Sequence, residues 1–268
     1  MIVPEERETF TVLGEGIGCA ELDRWHAMHG LIAGITTRSG PVGGFNLGLT
    51  TSDPSNSVTA RWSALTKAVQ GEFPGVVVSL QPHGAEVREH ESSFEGWLVL
   101  NGYDGHVTGL AGILLAVTVA DCVPVYLAHP ATGSIALLHA GWRGIASGIL
   151  ERGIDRLSEV VGAPPAEFVM HCGVAIGPDH YEVGPEVLER LGLQAGVGEA
   201  GEAGAAGAAG AAGADLRGLA AARARAAGVE AITRSPWCTY RDSKHFWSHR
   251  RDPAAAGRMV AYLGRPLT

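Results

Sequence analysis

The sequence predicts an α+β fold, and three observations support this prediction. Apolar residues recur at helical spacing in some segments, while short runs rich in β-branched residues separate those segments. At 268 residues and 46% hydrophobic content, the chain is long and apolar enough to bury a sizeable core. Length and composition alone are compatible with one large domain or with two smaller ones.

The first predicted helix covers residues 56–69 and is amphipathic. Its apolar positions are Val58, Trp62, Leu65 and Val69, which lie on one face of a helix. A β-branched strand follows at 76–80, and it leads directly into His83.

The middle of the chain predicts three consecutive strands. Strands at 113–119 and 123–128 flank Cys122, and a turn containing proline and glycine leads to a third strand at 134–138. This third strand ends at His139. We therefore expect Cys122 and His139 to lie close together at strand ends.

The second half of the chain contains predicted helices at 145–161 and 216–227 and a late strand at 245–251. Between them lies a Gly/Ala tract at about 196–213, which lacks large apolar side chains. Such a tract cannot contribute to a core, so we interpret it as a flexible, solvated insertion in preference to a lid over a pocket.

Charge and composition exclude several classes of protein. A net charge of −8 and a pI near 5.7 argue against nucleic-acid binding, which needs a basic face. The four cysteines have no short-spaced framework, and the start of the chain has no apolar signal-peptide core. The longest apolar run, 110–120, is shorter than the roughly 20 residues that span a bilayer. We expect a soluble cytoplasmic protein that does not bind membranes; nothing in the sequence specifies its oligomeric state.

Three residues in unusual local sequences predict a metal site. His83 lies in QPHG at 81–84, Cys122 in TVADCVP at 118–124, and His139 in LHAGWRG at 138–144. Two imidazoles and a thiolate are a typical ligand set for a catalytic zinc site, in which water or substrate takes the fourth position. Taken singly, a cysteine in an apolar run is more often a small buried hydrophobe. The bounding Gly, Pro and Asp residues favour special backbone geometry and hence the metal interpretation.

These segments and two others resemble the laccase-domain family, also called multicopper polyphenol oxidase-like. The further segments are GVAIGPDHYEV at 173–183, and CT at 238–239 followed by FWSHRR at 246–251. Upstream, TR at 37–38 and NLG at 46–48 also match, so the resemblance covers nearly the whole chain. Members of this family include bacterial purine nucleoside phosphorylases.

The resemblance implies a single catalytic domain over 1–268, layered α/β/β/α with mixed sheets and the site at strand ends. The Gly/Ala tract does not divide two domains, because family segments lie beyond it. The resemblance also implies Zn²⁺ on His83, Cys122 and His139, with a purine nucleoside and phosphate as substrates. Phosphorolysis of adenosine, inosine or methylthioadenosine is the implied activity, with adenosine deamination as a further one.

The sequence departs from the family pattern at a few positions. Val174 stands where proline is usual, and Trp247 and His249 stand where Phe and Tyr are usual. The segment at 103–108 is only a loose version of the family's Asp-x-x-Val-Thr element. These departures bear on the shape of the pocket and leave the three ligands intact.

Other residues have both a functional and a structural interpretation. Asp121 is a candidate catalytic residue that would orient a ligand imidazole, and it is equally suited to capping a turn. Residues 141–144, which include Arg143, precede a helix whose N-terminus could bind an anion, or they simply form a tight glycine turn. Asn46 could contact the nucleoside or shape its loop.

The remaining arginines are candidate phosphate or ribose contacts, because a guanidinium group binds phosphate through two parallel hydrogen bonds. They are Arg38, Arg61, Arg250 and Arg251, besides Arg143. Arg61 lies on the predicted helix at 56–69, so it could equally belong to a solvated helix face.

Three alternatives compete with the zinc-dependent nucleoside enzyme. A copper-dependent polyphenol oxidase is disfavoured because the sequence has no His-x-His pair, although copper can bind such donors in vitro. A cysteine hydrolase would use Cys122 as nucleophile and His139 as base. A structural zinc protein would need a fourth ligand, for which His171 and Cys172 are the candidates.

Overall fold

Two mixed β-sheets pack face to face between layers of helices. The computed structural model describes residues 2–41, 44–193, 203–206 and 212–267. Within these residues the helices are Asp23–His29 (α1), Ser55–Val69 (α2), Trp142–Ala146 (α3), Ile149–Val161 (α4), Pro185–Leu191 (α5) and Leu216–Ala226 (α6). None of these helices combines the length and the apolar character that a membrane crossing requires.

The strands of the described residues number sixteen. They are Thr9–Leu13 (β1), Ile17–Glu21 (β2), Ile32–Thr36 (β3), Gly75–Leu80 (β4), Val87–Glu89 (β5), Gly96–Asn101 (β6), Gly105–Thr108 (β7), Ile113–Val119 (β8), Val123–His129 (β9), Ser134–Ala140 (β10), Val169–Cys172 (β11), Glu182–Val183 (β12), Ala203–Ala206 (β13), Ala212–Ala214 (β14), Ala231–Arg234 (β15) and Met259–Gly264 (β16).

Both large sheets combine parallel and antiparallel pairs. The seven-stranded sheet has the order β1-β2-β3-β16-β8-β4-β6, and the six-stranded sheet has the order β15-β11-β9-β10-β7-β5. Strand β4 runs parallel to β6 and β8, whereas β16 runs antiparallel to β8. In the second sheet, β5 and β7 are parallel and β9 and β10 are antiparallel. The predicted α+β fold with mixed sheets is confirmed.

The core between the sheets explains why the central strands are almost continuously apolar. Val117 of β8 and Leu137 of β10 are fully buried in one cluster, together with Tyr126 of β9. A strand that is covered on both faces has no reason to alternate polar and apolar residues. Strands β8, β9 and β10 therefore appear in the sequence as nearly unbroken hydrophobic runs.

Helices cover the outer face of each sheet. Trp62 of α2 packs on Val76 and Val78 of the seven-stranded sheet. On the other side, Ile154 of α4 and the alanines of α6 pack on the six-stranded sheet, where Leu138 belongs to the same cluster. The predicted α/β/β/α layering is confirmed.

Most predicted elements lie within two residues of the observed ones. These are the helices at 56–69 and 216–227 and the strands at 76–80, 113–119, 123–128 and 134–138. The helix predicted at 145–161 is instead two helices, α3 and α4. They are separated at Gly148, whose positive φ of 87° is left-handed and ends the first helix.

The strand predicted at 245–251 is wrong, because this segment forms turns and irregular chain. Its backbone is held by side chains instead of a neighbouring strand. The Asp121 carboxylate accepts the backbone N–H of Arg250, and the Arg251 guanidinium donates to the carbonyl groups of Thr239, Tyr240 and Phe246. The aromatic residues of this segment are typical of a strand and led to the wrong prediction. The hydrogen bonds to side chains hold the segment in an irregular path instead.

The Gly/Ala tract is described only in part. Its described segments, 203–206 and 212–214, are strands β13 and β14, which form a small sheet with β12. Ala212 and Ala214 of β14 are fully buried and belong to the core cluster that includes α4 and α6. The prediction that the tract cannot contribute to a core is therefore wrong at Ala212, because alanine is apolar enough and small enough to pack there. The rest of 196–213 lies outside the described residues, and the flexibility predicted there remains a prediction.

Replacing Trp62 with alanine is expected to destabilise the fold by about 3–5 kcal/mol, because the cavity would remain in a packed layer. Trp62 is fully buried, stacks on Trp97 at 4.9 Å between ring centroids, and donates to the Leu47 carbonyl. Urea unfolding measures the change. Lys67→Ala, at an exposed site on the same helix, is the control and should stay within about 0.5 kcal/mol. Equal effects of the two substitutions would contradict this packing.

Candidate active site

The candidate site lies where the chain crosses from one large sheet to the other. Strand β8 belongs to the seven-stranded sheet and β9 to the six-stranded sheet, so residues 120–122 form the crossing. His139 pairs with Pro124 across β9 and β10, which brings it beside Cys122. Strand β4 runs parallel to β8, so His83, which follows β4, reaches the same edge.

His83, Cys122 and His139 converge in the structure. Their ligand atoms all lie within 4.8 Å of one another, and the two imidazole rings meet edge to face at 81°. Among the described residues this is the one group of three or more His, Cys, Asp or Glu that could hold a metal ion. The prediction that these three residues come together is therefore confirmed.

The buried carboxylate of Asp104 organises two of the three candidate ligands. Its Oδ1 lies 2.8 Å from Nδ1 of His139 and accepts the backbone N–H of His83 at 3.0 Å. Its Oδ2 accepts the backbone N–H of Gly84 at 2.6 Å. In the neutral form of His139, a proton on Nδ1 would leave on Nε2 the lone pair that a metal ligand needs.

Asp121 has a different position from the one we predicted. Its carboxylate accepts the hydroxyl of Thr239 at 2.6 Å and the backbone N–H of Arg250 at 2.7 Å, and it bonds neither imidazole. The contact that orients a ligand imidazole is made by Asp104 instead. Asp121 is the residue that fixes the crossing turn, which was the second interpretation of this position.

The backbone at the site adopts conformations that side chains rarely favour. His83 has φ of 65° and Asp121 has φ of 92°, and they are the two non-glycine residues with positive φ in the described chain. Each such conformation costs on the order of 1–3 kcal/mol and persists only where the surroundings impose it. The hydrogen bonds to Asp104 and from Thr239 supply that constraint.

Gly141 is required by close packing against the candidate ligands. A Cβ atom at this position would lie 2.9 Å from Sγ of Cys122 and 3.5 Å from Cδ2 of His83. The helix that follows, α3, is only five residues long. The tight-turn interpretation of 141–144 therefore accounts for this glycine.

The pKa values of Cys122 and His139 shift in opposite directions. Burial raises the pKa of Cys122, but the adjacent His139 and His83 imidazoles outweigh it and lower the pKa to about 6. Burial lowers the pKa of His139, whereas Cys122 and Asp104 raise it, to about 9. At neutral pH the pair is a thiolate beside an imidazolium, and the thiolate is the form that binds metals or attacks an electrophile.

A cleft of about 680 Å³ opens above these three residues. Its lining includes Arg143, Arg250 and Arg258 together with neutral polar residues such as Ser79 and Asn101. Burial lowers the pKa of Arg258. None of the three guanidinium groups is paired with a carboxylate in the described part of the chain; their recorded contacts are carbonyl oxygens and aromatic rings.

The six residues predicted to bind substrate or phosphate divide into two groups. Arg143 and Arg250 line the cleft, whereas Arg38, Asn46, Arg61 and Arg251 are not among its lining residues. Arg38 donates to the Ser243 carbonyl, and Arg61 pairs with Asp53 at 2.5 Å.

Asn46 instead shapes its loop. Its side-chain oxygen accepts the backbone N–H groups of Gly48 and Arg258, and this contact holds Arg258 against the cleft. Of the family departures, His249 lines the cleft, while Val174 is buried between the sheets.

The candidate fourth ligands lie away from the site. His171 is buried against Thr233 and Glu8, and burial raises the pKa of Cys172 to about 12. Sequence reasoning missed Asp104 and Arg258. A signal existed for Asp104, since it begins the loose Asp-x-x-Val-Thr element, whereas no local pattern marks Arg258.

Comparison with known proteins agrees with this geometry. The model of the family described as "Multi-copper polyphenol oxidoreductase laccase" matches residues 32–266. The chain belongs to this family. It is 32% identical over 249 residues to purine nucleoside phosphorylase YlmD of Geobacillus stearothermophilus, covering 88% of this chain and 90% of the relative.

Two further similarities extend over nearly the whole chain. Purine nucleoside phosphorylase YfiH of Escherichia coli is 32% identical over 253 residues, covering 90% of this chain and 96% of the relative. The crystal structure of YlmD from Geobacillus stearothermophilus superposes with a TM-score of 0.84 at 30% identity, covering 96% of this chain and 99% of that one. The fold of this family is therefore the fold of the protein.

Replacing Asp104 with asparagine is expected to weaken zinc binding about 10–100-fold, as loss of a carboxylate behind a ligand histidine usually does. An amide presents one acceptor oxygen to three donors. Zinc affinity is measured by competition with a chelator. Asp121→Asn is the matched control, because Asp121 contacts neither imidazole. Unchanged affinity in Asp104→Asn with a loss in Asp121→Asn would reverse the roles given to the two carboxylates.

Proposed function

We propose that this protein is a zinc-dependent purine nucleoside phosphorylase that cleaves adenosine, inosine or methylthioadenosine with phosphate. One observation carries the proposal: His83 adds a third metal donor at the point where Cys122 and His139 meet. The substrate class comes from the relatives, which are named purine nucleoside phosphorylases. We further propose that residues 1–268 act as one catalytic domain, since both sheets contribute to the cleft.

The donor set fits zinc. Tetrahedral zinc with two nitrogen ligands and one sulfur ligand holds its donors about 3.4–3.6 Å apart. The three donor atoms here lie within 4.8 Å of one another. Side-chain movements of roughly 1 Å would therefore bring them to the distances that zinc requires. A thiolate combined with imidazoles is also a chemically suitable set for this ion. When bound, zinc supplies Lewis acidity to the cleft.

The arginines that line the cleft fit phosphate. Arg143, Arg250 and Arg258 face a common space without carboxylate partners among the described residues, although the protein as a whole carries a charge of −8. Guanidinium groups bind phosphate oxygens through charge-assisted hydrogen bonds. Phosphate held by these arginines would leave the neutral polar residues of the lining for the nucleoside.

Adenosine deamination is a second reaction that we propose for the same cleft. It would require water in place of phosphate as the attacking group, and the product would be inosine. Four free cysteines suit a reducing compartment, and we propose the cytoplasm.

A cysteine hydrolase is the second candidate, because one observation favours it. Asp104, His139 and Cys122 form a continuous chain in which a carboxylate orients an imidazole beside a thiol of lowered pKa. Such a triad has no need of His83, which lies beside Cys122 and His139 as a third possible metal donor. We therefore prefer the metal-dependent reaction.

The polyphenol oxidase alternative is supported only by the name of the family model. Multicopper chemistry needs several clustered histidine ligands. The sequence has no His-x-His pair, and the described residues contain one three-donor group. Copper can occupy the same donors in vitro because it outranks zinc in intrinsic affinity.

His83→Ala is expected to remove zinc and to lower phosphorolysis by about 100-fold or more, because loss of the metal costs several kcal/mol of transition-state stabilisation. Metal analysis and chromatography of adenosine products measure both effects. His26→Ala, on the surface, is the control. Ribose 1-phosphate should form only when phosphate is present, and inosine formed without phosphate reports deamination. Full activity of His83→Ala with a covalent adduct on Cys122 would favour the hydrolase.

Arg143→Met is expected to raise the KM for phosphate about 10-fold or more, since a hydrogen bond to a charged group is worth about 1.5–3 kcal/mol. Arg143 packs over the Trp142 ring at 4.4 Å, so methionine preserves much of the packing and removes the charge. Steady-state kinetics at varied phosphate measure the effect. Arg152→Met, at an exposed ion pair outside the cleft, should leave the KM unchanged. An unchanged KM in Arg143→Met would exclude this residue from phosphate binding.

A further inference from the structure

A buried chain of three polar side chains connects the cleft to the edge of the six-stranded sheet that β5 forms. Oγ of Ser79 lies 3.2 Å from Nε2 of His106, and Nδ1 of His106 lies 3.0 Å from Nε2 of His90. Ser79 is in β4 and lines the cleft. His106 is in β7, in the other sheet, and is fully buried, whereas His90 follows β5 and is 8% exposed.

This chain crosses the layer between the sheets, where apolar contacts dominate. Burying polar groups there is costly unless each is hydrogen-bonded, and here every ring nitrogen of His106 has a partner. A neutral imidazole has one N–H donor and one lone-pair acceptor. The hydrogen bonds of the chain must therefore all point the same way, either toward the cleft or toward His90.

The chain ends at the cleft with Ser79 and next to the protein surface with His90. Nδ1 of His90 has no hydrogen-bond partner within the described residues, and the partial exposure of His90 gives water access to it. Arg88 on β5 and the Phe94 ring are the groups that flank His90. A concerted shift along such a chain moves one proton from end to end and exchanges the tautomer of each ring.

Burial keeps both imidazoles neutral. It lowers the pKa of His106 to about 3, with His90 as a further cause, and it lowers the pKa of His90 to about 4, with Arg88 as a further cause. A neutral ring accepts a proton at one nitrogen while it releases another. Neither histidine therefore stores a charge between the sheets.

We propose that Ser79, His106 and His90 form a proton relay that delivers a proton to the departing purine; this inference rests on the proposed function. As the C1′–N9 bond breaks, its electron pair stays with the base, and a base nitrogen takes the Ser79 hydroxyl proton. Ser79 takes the proton of His106 Nε2, His106 Nδ1 takes that of His90 Nε2, and His90 Nδ1 takes one from water. After the purine has left, water in the cleft carries the proton that phosphate loses on becoming a monoester to Ser79, and the reverse shift along the chain to His90 restores the original tautomers and balances the reaction.

The test compares two substrates that differ in their need for a proton. Inosine releases a base that must be protonated, whereas 7-methylinosine releases a base that is neutral without protonation. Ser79→Ala and His90→Gln are expected to lower kcat/KM for inosine by about 100-fold or more, the usual contribution of a positioned acid. With 7-methylinosine the same variants should retain nearly the wild-type rate. Equal losses on both substrates would overturn the relay.

Thr108→Val is the matched control for a structural effect. Thr108 donates to the backbone carbonyl of His90 and lies on the same strand as His106, but it is not part of the chain. This substitution should leave the ratio of the two substrate rates unchanged. A change in that ratio as large as in His90→Gln would attribute the effect to packing.

A second measurement needs no substrate and separates the relay from the proposed function. In protein labelled with ¹⁵N-histidine, NMR follows the exchange of the buried His106 ring proton with water. His90→Phe should slow this exchange, whereas Thr108→Val should not, and an unchanged rate in His90→Phe would overturn the relay. If exchange slows as expected but wild-type enzyme cleaves neither nucleoside, the proposed function fails while the proton path stands.

Discussion

The buried carboxylate of Asp104 is the interaction on which the candidate site depends. It accepts two backbone N–H groups from the loop that follows β4 and bonds the imidazole of His139 on β10. These two segments belong to different sheets, so one side chain fixes their relative position. A buried carboxylate with three donors is well compensated for its lost hydration, and each donor is thereby held in a defined direction.

The layered fold explains why such a link is needed. The two sheets pack through apolar side chains. Apolar contacts fix the distance between the sheets but are not directional, so they do not orient individual side chains. Convergence of His83 with Cys122 and His139 within 4.8 Å requires directional contacts as well. The polar bonds of Asp104 provide them, and they also stabilise the positive φ of His83, which apolar packing alone would not impose.

Charge is distributed unevenly around this frame. The protein is acidic overall, yet the described wall of the cleft carries three arginines whose contacts are with carbonyl oxygens and aromatic rings. Ser79, which also lines the cleft, is hydrogen-bonded through His106 to His90. The lining of one cleft thus combines three guanidinium groups, the three candidate metal ligands and the end of a buried polar chain.

The sequence by itself determined the fold class, the central strands and the three candidate ligands. Hydrophobic periodicity and β-branched runs are local properties, so α2, β4, β8, β9 and β10 could be predicted from them. The sequence could not reveal the irregular path of 245–251, the role of Asp104 or the position of Arg258. Each of these depends on hydrogen bonds between residues far apart in the chain, such as Asp121 with Arg250 and Asn46 with Arg258. Only the packing of two sheets decides which distant polar groups meet, because burial leaves them no water to bond instead.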